Sequence, residues 1–233
     1  MDLVYTLPIN QTTLTKSTII DIIVYHRITL TKQKGKESEM RETLSIIAGI
    51  LFVIGFVPYV IAILRKETKP EKATWIIWAT LDSLTLAGMY YEETVNGQIV
   101  GAVLGVWIVV FFAMKYGTPG WTLLDKACLM GAVIGIALWQ IFSDPLFGIM
   151  TSLVVVSLGS IPTFVSAWED PSKENKLAWV IFWVSSVLAV ITIPHWTLED
   201  AAQPITFCVV ESIMMYILFS RNQKTISKTS VKI

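Results

Sequence analysis

The chain has 233 residues, 54% hydrophobic and 15% charged, with nine tryptophans and a mean hydropathy of +0.62; ordinary soluble domains carry about 25% charged residues. Its 18 basic and 18 acidic residues cancel, which removes the electrostatic case for a nucleic-acid partner. Two cysteines (Cys128, Cys208) and two histidines (His26, His195) form no cluster, so neither a zinc site nor any other cofactor is expected.

Residues 1–43 read as an N-terminal tail. Residues 1–18 show no signal-peptide hydrophobic region, and the apolar stretch 18–25, interrupted by Asp21, is too short to span a bilayer. Met40 is a candidate start of translation, which would leave a short Arg-Glu-Thr lead into the first long apolar segment. Seven apolar segments reach spanning length, at 44–64, 74–91, 97–115, 124–142, 146–167, 177–194 and 201–219. Irregular backbone cannot face lipid, so each is predicted to be a helix. The expected fold is an all-α integral membrane protein with a tail at 221–233.

Charge orients the segments. One set of turns and the C-terminal tail hold Arg65, Lys66, Lys69, Lys72, Lys115, Lys126, Lys173, Lys176, Arg221, Lys224, Lys228 and Lys232. The opposite loops, 92–96, 143–145 and 195–200, hold no Lys or Arg but do hold Glu92, Glu93, Asp144, Glu199 and Asp200. The positive-inside bias places the basic turns and the C-terminus in the cytoplasm of a cell (plasma or inner) membrane, with the N-terminus outside.

The chain also repeats itself. Gly55-Phe56-Val57-Pro58, a basic turn and Trp75-Ile76-Ile77-Trp78 recur as Gly159-Ser160-Ile161-Pro162, a charged turn and Trp179-Val180-Ile181-Phe182-Trp183. The offset is 104 residues for the Gly, Pro and first Trp, and 105 for the second Trp and for Gln98 and Gln203. The segments therefore group as three, one and three: a first repeat at 44–115, a linker helix at 116–143 and a second repeat at 144–220. An odd number of helices per copy would invert the second, and the linker crossing restores its orientation, giving a parallel duplication.

Phe56-Val57-Pro58-Tyr59-Val60 followed by Leu64-Arg65-Lys66-Glu67-Thr68 resembles the proline motif and basic turn of the SWEET, SemiSWEET and PQ-loop transporter superfamily. The resemblance covers 44–220 and implies two three-helix bundles that rock about a central solute site. The family's Pro-Gln pair reads Pro58-Tyr59 and Pro162-Thr163 here. Its third-helix Asn is absent from 101–103 and 205–207, and its second-helix Trp from 85–87.

Several residues are candidates for the route. Pro58 and Pro162 break the backbone ladder at the same place in both copies and are expected hinges. Asp82 and Glu211 are acids deep in the second and seventh segments, where a charge costs roughly 2.5–3.5 kcal/mol on insertion scales and so marks a cavity or a partner. Neither is matched in the other copy: an offset of 104 puts Ser186 opposite Asp82 and Trp107 opposite Glu211. No membrane-embedded Lys or Arg is available to pair with them, since all 18 basic residues lie in turns, tails or segment ends, which suits proton exchange. Trp78 and Trp183 lie one turn inside Trp75 and Trp179 and are read as a floor beneath the acids, with Trp107 as a wall. Gly101 belongs to the run Gly97, Gly101, Gly105, whose spacing favours close helix packing, as does that of Gly131 and Gly135. Its bare backbone would also leave room for a bulky solute where the family's sugar carriers have Asn. Gln98 and Gln203 form the most symmetric polar pair; Gln140 and Tyr59 are further candidates.

The expected function is movement of a small polar solute, a sugar or similar, by alternating access, either facilitative or proton-coupled. The alternatives are a vitamin or nucleoside carrier of the nicotinamide-riboside type and a non-transporting membrane receptor or sorting protein. No enzyme motif and no nucleotide-binding motif is present. The expected partners are the solute, the lipid bilayer and protons; assembly with a second copy of the chain is compatible with the sequence.

Overall fold

A computed structural model describes residues 16–67, 70, 72–117, 123–171 and 174–230. Among these residues all extended regular structure is helical: α1 (Lys16–Leu64), α2 (Lys72–Tyr91), α3 (Gly97–Tyr116), α4 (Leu123–Phe142), α5 (Pro145–Gly159), α6 (Ile161–Glu169), α7 (Lys176–Ile191) and α8 (Leu198–Ser230). The chain divides into two compact units, residues 1–40 and 41–233, and the division falls inside α1. Among the described residues, four stretches are long and apolar enough to cross a membrane: Val24–Leu64, Gly97–Tyr116, Pro145–Glu169 and Leu198–Ser220. Lys126–Phe142 and Lys176–Ile191 are apolar but shorter.

In the first unit, the part of the expected tail from Lys16 onward is helical. It contains no proline, and two of its threonines turn their hydroxyls onto their own helix: Thr29 Oγ1 donates to Tyr25 O and Thr31 Oγ1 to Arg27 O. Residues 1–15 lie outside the described residues.

The second unit shows why its helices start and stop where they do. Asn96, Asp144 and Asn175 cap α3, α5 and α7, each side chain accepting a first-turn backbone N–H; such caps satisfy donors that a helix start leaves open. Lys66, Glu93 and Ser143 adopt positive φ (61°, 58° and 53°) just past the ends of α1, α2 and α4, the left-handed turn that closes many helix C-termini.

The expected fifth segment, 146–167, is two helices. α5 ends at Gly159 and α6 begins at Ile161. Pro162 has no N–H to return to the ladder, and two serines divert it further: Ser157 Oγ donates to Leu153 O and Ser160 Oγ to Val156 O, back-bonding that bends helices. In the first copy Phe56 stands where Ser160 does, and α1 runs unbroken through Pro58.

The glycine run on α3 is a packing surface. A Cβ at Gly97 would strike Ser45 O, at Gly101 it would strike Gly49 O, and at Gly105 the Phe56 ring. Gly97 N also donates to Ser45 Oγ (2.8 Å). The space beside Gly101 is thus taken up by the backbone of α1 and leaves no room there for a solute. Gly131 and Gly135 face Val155 and Thr151 and let α4 lie close on α5.

The largest core cluster joins α1, α2, α3, α5 and α8 and is rich in aromatic rings. Phe52 and Phe56 sit 4.8 and 4.9 Å from Phe182, and Phe52 lies 5.9 Å from Phe207. Trp75 extends this cluster to Tyr59 and Trp78. Outward-facing side chains are mostly apolar, among them Ile50, Leu104, Phe111, Val154 and Tyr216; an exposed apolar surface of this kind marks contact with lipid or another apolar partner.

Candidate functional site

A buried polar chain runs across three helices. Asn96 Nδ2 donates to Gln203 Oε1 (2.8 Å), and Gln203 Nε2 donates to Gln98 Oε1 (3.1 Å). Gln98 Nε2 donates to Ser186 Oγ, and Ser186 Oγ donates to Glu211 Oε2. Gln98, Gln203, Ser186 and Glu211 are all buried. Each amide accepts on one side and donates on the other, so the four bonds point the same way and end on the carboxyl of Glu211. Aligned chains of this sort polarise and strengthen one another in a low-dielectric interior.

Local structure fixes each member. Asn96 is held as the α3 cap, its Oδ1 accepting from Ile99 N (3.0 Å) while its Nδ2 reaches Gln203. Gln98 lies within the first turn of α3, which the bond from Gly97 N holds against Ser45 of α1. Ser186 is neighboured by Ser185, whose hydroxyl donates to Ala48 O (2.7 Å) and ties α7 to α1. Gln203 and Glu211 lie eight residues apart on α8, roughly 12 Å along its axis, and Gln98 and Ser186 bridge that gap.

Three of the sequence candidates therefore meet: Gln98, Gln203 and Glu211. Trp183 adjoins them, its Nε1 donating to Ser212 Oγ (3.0 Å) beside Glu211. Trp107 is 47% exposed and donates to Ser83 Oγ on α2 (3.0 Å). Trp78 turns the other way, its Nε1 lying 3.7 Å from the position a Cβ on Gly159 would take, so Trp78 and Trp183 do not pair as one floor. Asp82 is partly buried on α2 and is not joined to the chain; among the described residues it has no hydrogen bond or ion pair. Gln140 is exposed on α4. Tyr59 is partly buried with its ring against Trp75 (5.0 Å). Pro58 is partly buried within α1, and Pro162 opens α6.

Sequence reasoning missed Asn96, Ser186 and the phenylalanines. From sequence, Ser186 stands out only as the residue opposite Asp82. The signal for it lies in the offset: at 105, the spacing set by Gln98 and Gln203, Glu211 is matched by Val106 and Ser212 by Trp107. In the sequence repeat, Ser186 and Glu211 thus answer to Asp82 and Val106.

The two ends of the molecule differ. At one end Glu92, Asp144 and Glu199 lie near enough to interact, and the Glu92 carboxyl is raised above its ordinary range by burial first and by those two charges next. Tyr90, Tyr91, Trp139, Phe142 and Phe147 gather at the same helix ends, the kind of aromatic belt that marks a membrane–water boundary. At the other end Trp179 Nε1 donates to Glu174 Oε2 (2.9 Å); burial raises that carboxyl and the indole bond partly offsets the rise.

No group of three or more His, Cys, Asp or Glu side chains is placed to hold a metal among the described residues. These features define an all-helical protein with long apolar helices and a buried polar chain at the junction of α3, α7 and α8. Comparison with known proteins yields no matching family model, no matching curated protein and no matching solved structure.

Proposed function

We propose that the chain is a cell-membrane transporter that moves a small polar solute by alternating access, built as two parallel three-helix repeats (44–115 and 144–220) joined by the linker helix of 116–143. The observation that carries this reading is the hydrogen bond between Gln98 and Gln203. The repeat makes these two residues equivalent. Equivalent residues can touch only at the axis that relates the copies, and both lie near the starts of their helices, so the two copies run the same way. Such an axis is where parallel-repeat transporters place their substrate site.

Other contacts support the same arrangement. Gly55 of α1 packs on Phe182 of α7, and its counterpart Gly159 of α5 packs by Trp78 of α2, which is the same exchange of partners between copies. On this reading the buried amides and Glu211 form the outer part of the route. The rings of Phe52, Phe56, Phe182 and Phe207 close it on the basic, cytoplasmic side. The N-terminal end of the repeat pair faces outward and the C-terminus inward. Pro58 and Pro162 serve as hinges, and protons drive the cycle through Glu211 if transport is coupled.

The test begins with full-length protein in detergent, screened for thermal stabilisation by sugars, amino acids and nucleosides, since a ligand that binds the native state raises apparent stability. Each stabilising solute is then offered to proteoliposomes preloaded with the same solute. The expected result is counterflow that Gln98→Leu and Gln203→Leu abolish. Binding without counterflow would overturn transport in favour of a receptor. Proton coupling predicts that Glu211→Gln retains counterflow but loses uptake driven by a pH gradient.

A further inference from the structure

Away from the axis, α2 and α5 pack antiparallel, and three oxygen-bearing side chains at their interface go unused. Gly88 of α2 meets the Ile149 side chain and Pro145 O of α5, at 2.5 and 3.2 Å from the position its Cβ would take. Ten residues earlier on α2, Trp78 meets Gly159, ten residues later on α5. The register between these contacts sets Thr85, three residues before Gly88, against Ser152, three residues after Ile149. Thr85 is 1% exposed and Ser152 0%. Neither hydroxyl oxygen has a hydrogen-bond partner.

That is unusual for both residues. A helical Thr or Ser normally returns its hydroxyl to the carbonyl four residues earlier, as Thr80 and Ser83 on the same helix do. A buried hydroxyl left unpaired is destabilising, and this register sets two of them on packed helices without a partner. Asp82 lies one turn from Thr85 on the same side of α2, and it too has no partner among the described residues.

The repeat-related interface between α7 and α1 does without these groups. At an offset of 104, Ala189 replaces Thr85 and Ala48 replaces Ser152, both buried, while Ser186, in place of Asp82, is committed to Glu211. The equivalent interface is closed by apolar packing and by the bond from Ser185 Oγ to Ala48 O. The oxygen cluster therefore belongs to the α2–α5 interface and has no counterpart at the repeat-related interface of α7 with α1.

We propose that Asp82, Thr85 and Ser152 bind a sodium ion between α2 and α5. Hard cations prefer oxygen ligands, and two hydroxyls with one carboxylate supply them. One carboxylate balances one positive charge, whereas a divalent ion would leave an uncompensated charge in a low-dielectric interior. The ion gives each unpaired hydroxyl an acceptor role and gives the partly buried Asp82 a countercharge. The site lies apart from the Gln98–Glu211 chain and holds its ion whether or not that chain conducts a solute.

Binding is tested on the full-length protein in detergent with radiolabelled sodium, alongside thermal unfolding in NaCl, KCl and choline chloride at equal ionic strength. Sodium is expected to bind saturably and raise the unfolding midpoint above that in choline. Thr85→Val and Ser152→Ala should each weaken sodium binding by about tenfold, the loss of one hydrogen-bond-sized ligand, and Asp82→Asn should abolish it. Thr85→Ser, which keeps the oxygen, should bind nearly as the parent does. The proposal is overturned if the parent protein shows no saturable sodium binding, or if Thr85→Val and Ser152→Ala fold with sodium binding intact. In the latter case the two hydroxyls are unpaired packing groups, and their removal leaves stability unchanged or higher in every salt. Failure here leaves the counterflow test of transport unaffected.

Discussion

Ser186 is the smallest member of the buried polar chain and holds it together: it is at once the acceptor for Gln98 and the donor to Glu211. Its replacement by Ala leaves an amide donor and a carboxyl oxygen without partners in a place water does not readily reach. Each orphaned group costs about 1–3 kcal/mol, so Ser186→Ala should lower stability by at least one such increment in denaturant unfolding. Ser186→Thr keeps the hydroxyl and should recover most of it. Val106, the counterpart of Glu211, makes no such demand, so no hydroxyl is needed opposite it. This pairing is only half legible in the sequence. The repeat names Ser186 as the residue opposite Asp82, and mid-membrane chemistry singles out Glu211, but a contact between α7 and α8 depends on which faces meet. A one-residue change of offset, from 104 to 105, decides whether Glu211 answers to Trp107 or Val106. Residues whose importance comes from burial cost are easier to find than residues whose importance comes from a partner.

Between elements, the two prolines show how equal sequence positions give unequal helices. α1 passes through Pro58 unbroken, whereas α5 stops short of Pro162 and α6 begins anew. Proline alone does not explain this, since both copies have it; Ser157 and Ser160, with hydroxyls bonded to Leu153 O and Val156 O, supply the difference. The proline motif is plain in the sequence, but the break is not, because an apolar run containing Ser and Thr reads as one span by hydropathy. Restoring the missing donor should merge the helices. In Pro162→Ala the new N–H can bond the carbonyl of Leu158, and hydrogen exchange across 158–164 should slow, with the change confined to that stretch. Pro58→Ala, in a helix already continuous, should alter exchange over 54–60 much less. If the break is the moving joint of the second bundle, Pro162→Ala also slows solute exchange more than Pro58→Ala does.

For the molecule as a whole, charge tells the two ends apart. In sequence the loops at 92–96, 143–145 and 195–200 group together only because they lack Lys and Arg. The structure brings Glu92, Asp144 and Glu199 within interacting range, as expected if these loops share one end. Arg41 Nη1 reaches Pro194 O (3.3 Å) at that same end, so the entry to the first apolar segment lies beside the loop before α8. Sidedness in a membrane is then set by charge, since short basic loops resist translocation. Val95 and Glu67 are exposed residues at opposite ends of the helices and suit labelling. Cys128 and Cys208 are first replaced by Ala to clear the background. In intact cells a membrane-impermeant maleimide should then label Val95→Cys and spare Glu67→Cys. Opening the membrane should make the two react alike. Labelling of Glu67→Cys in intact cells, with Val95→Cys protected, would invert the orientation without disturbing the helical fold. Equal labelling of both from outside would show that 74–91 does not separate these residues by a bilayer, and the membrane-spanning reading of that segment would fall with it.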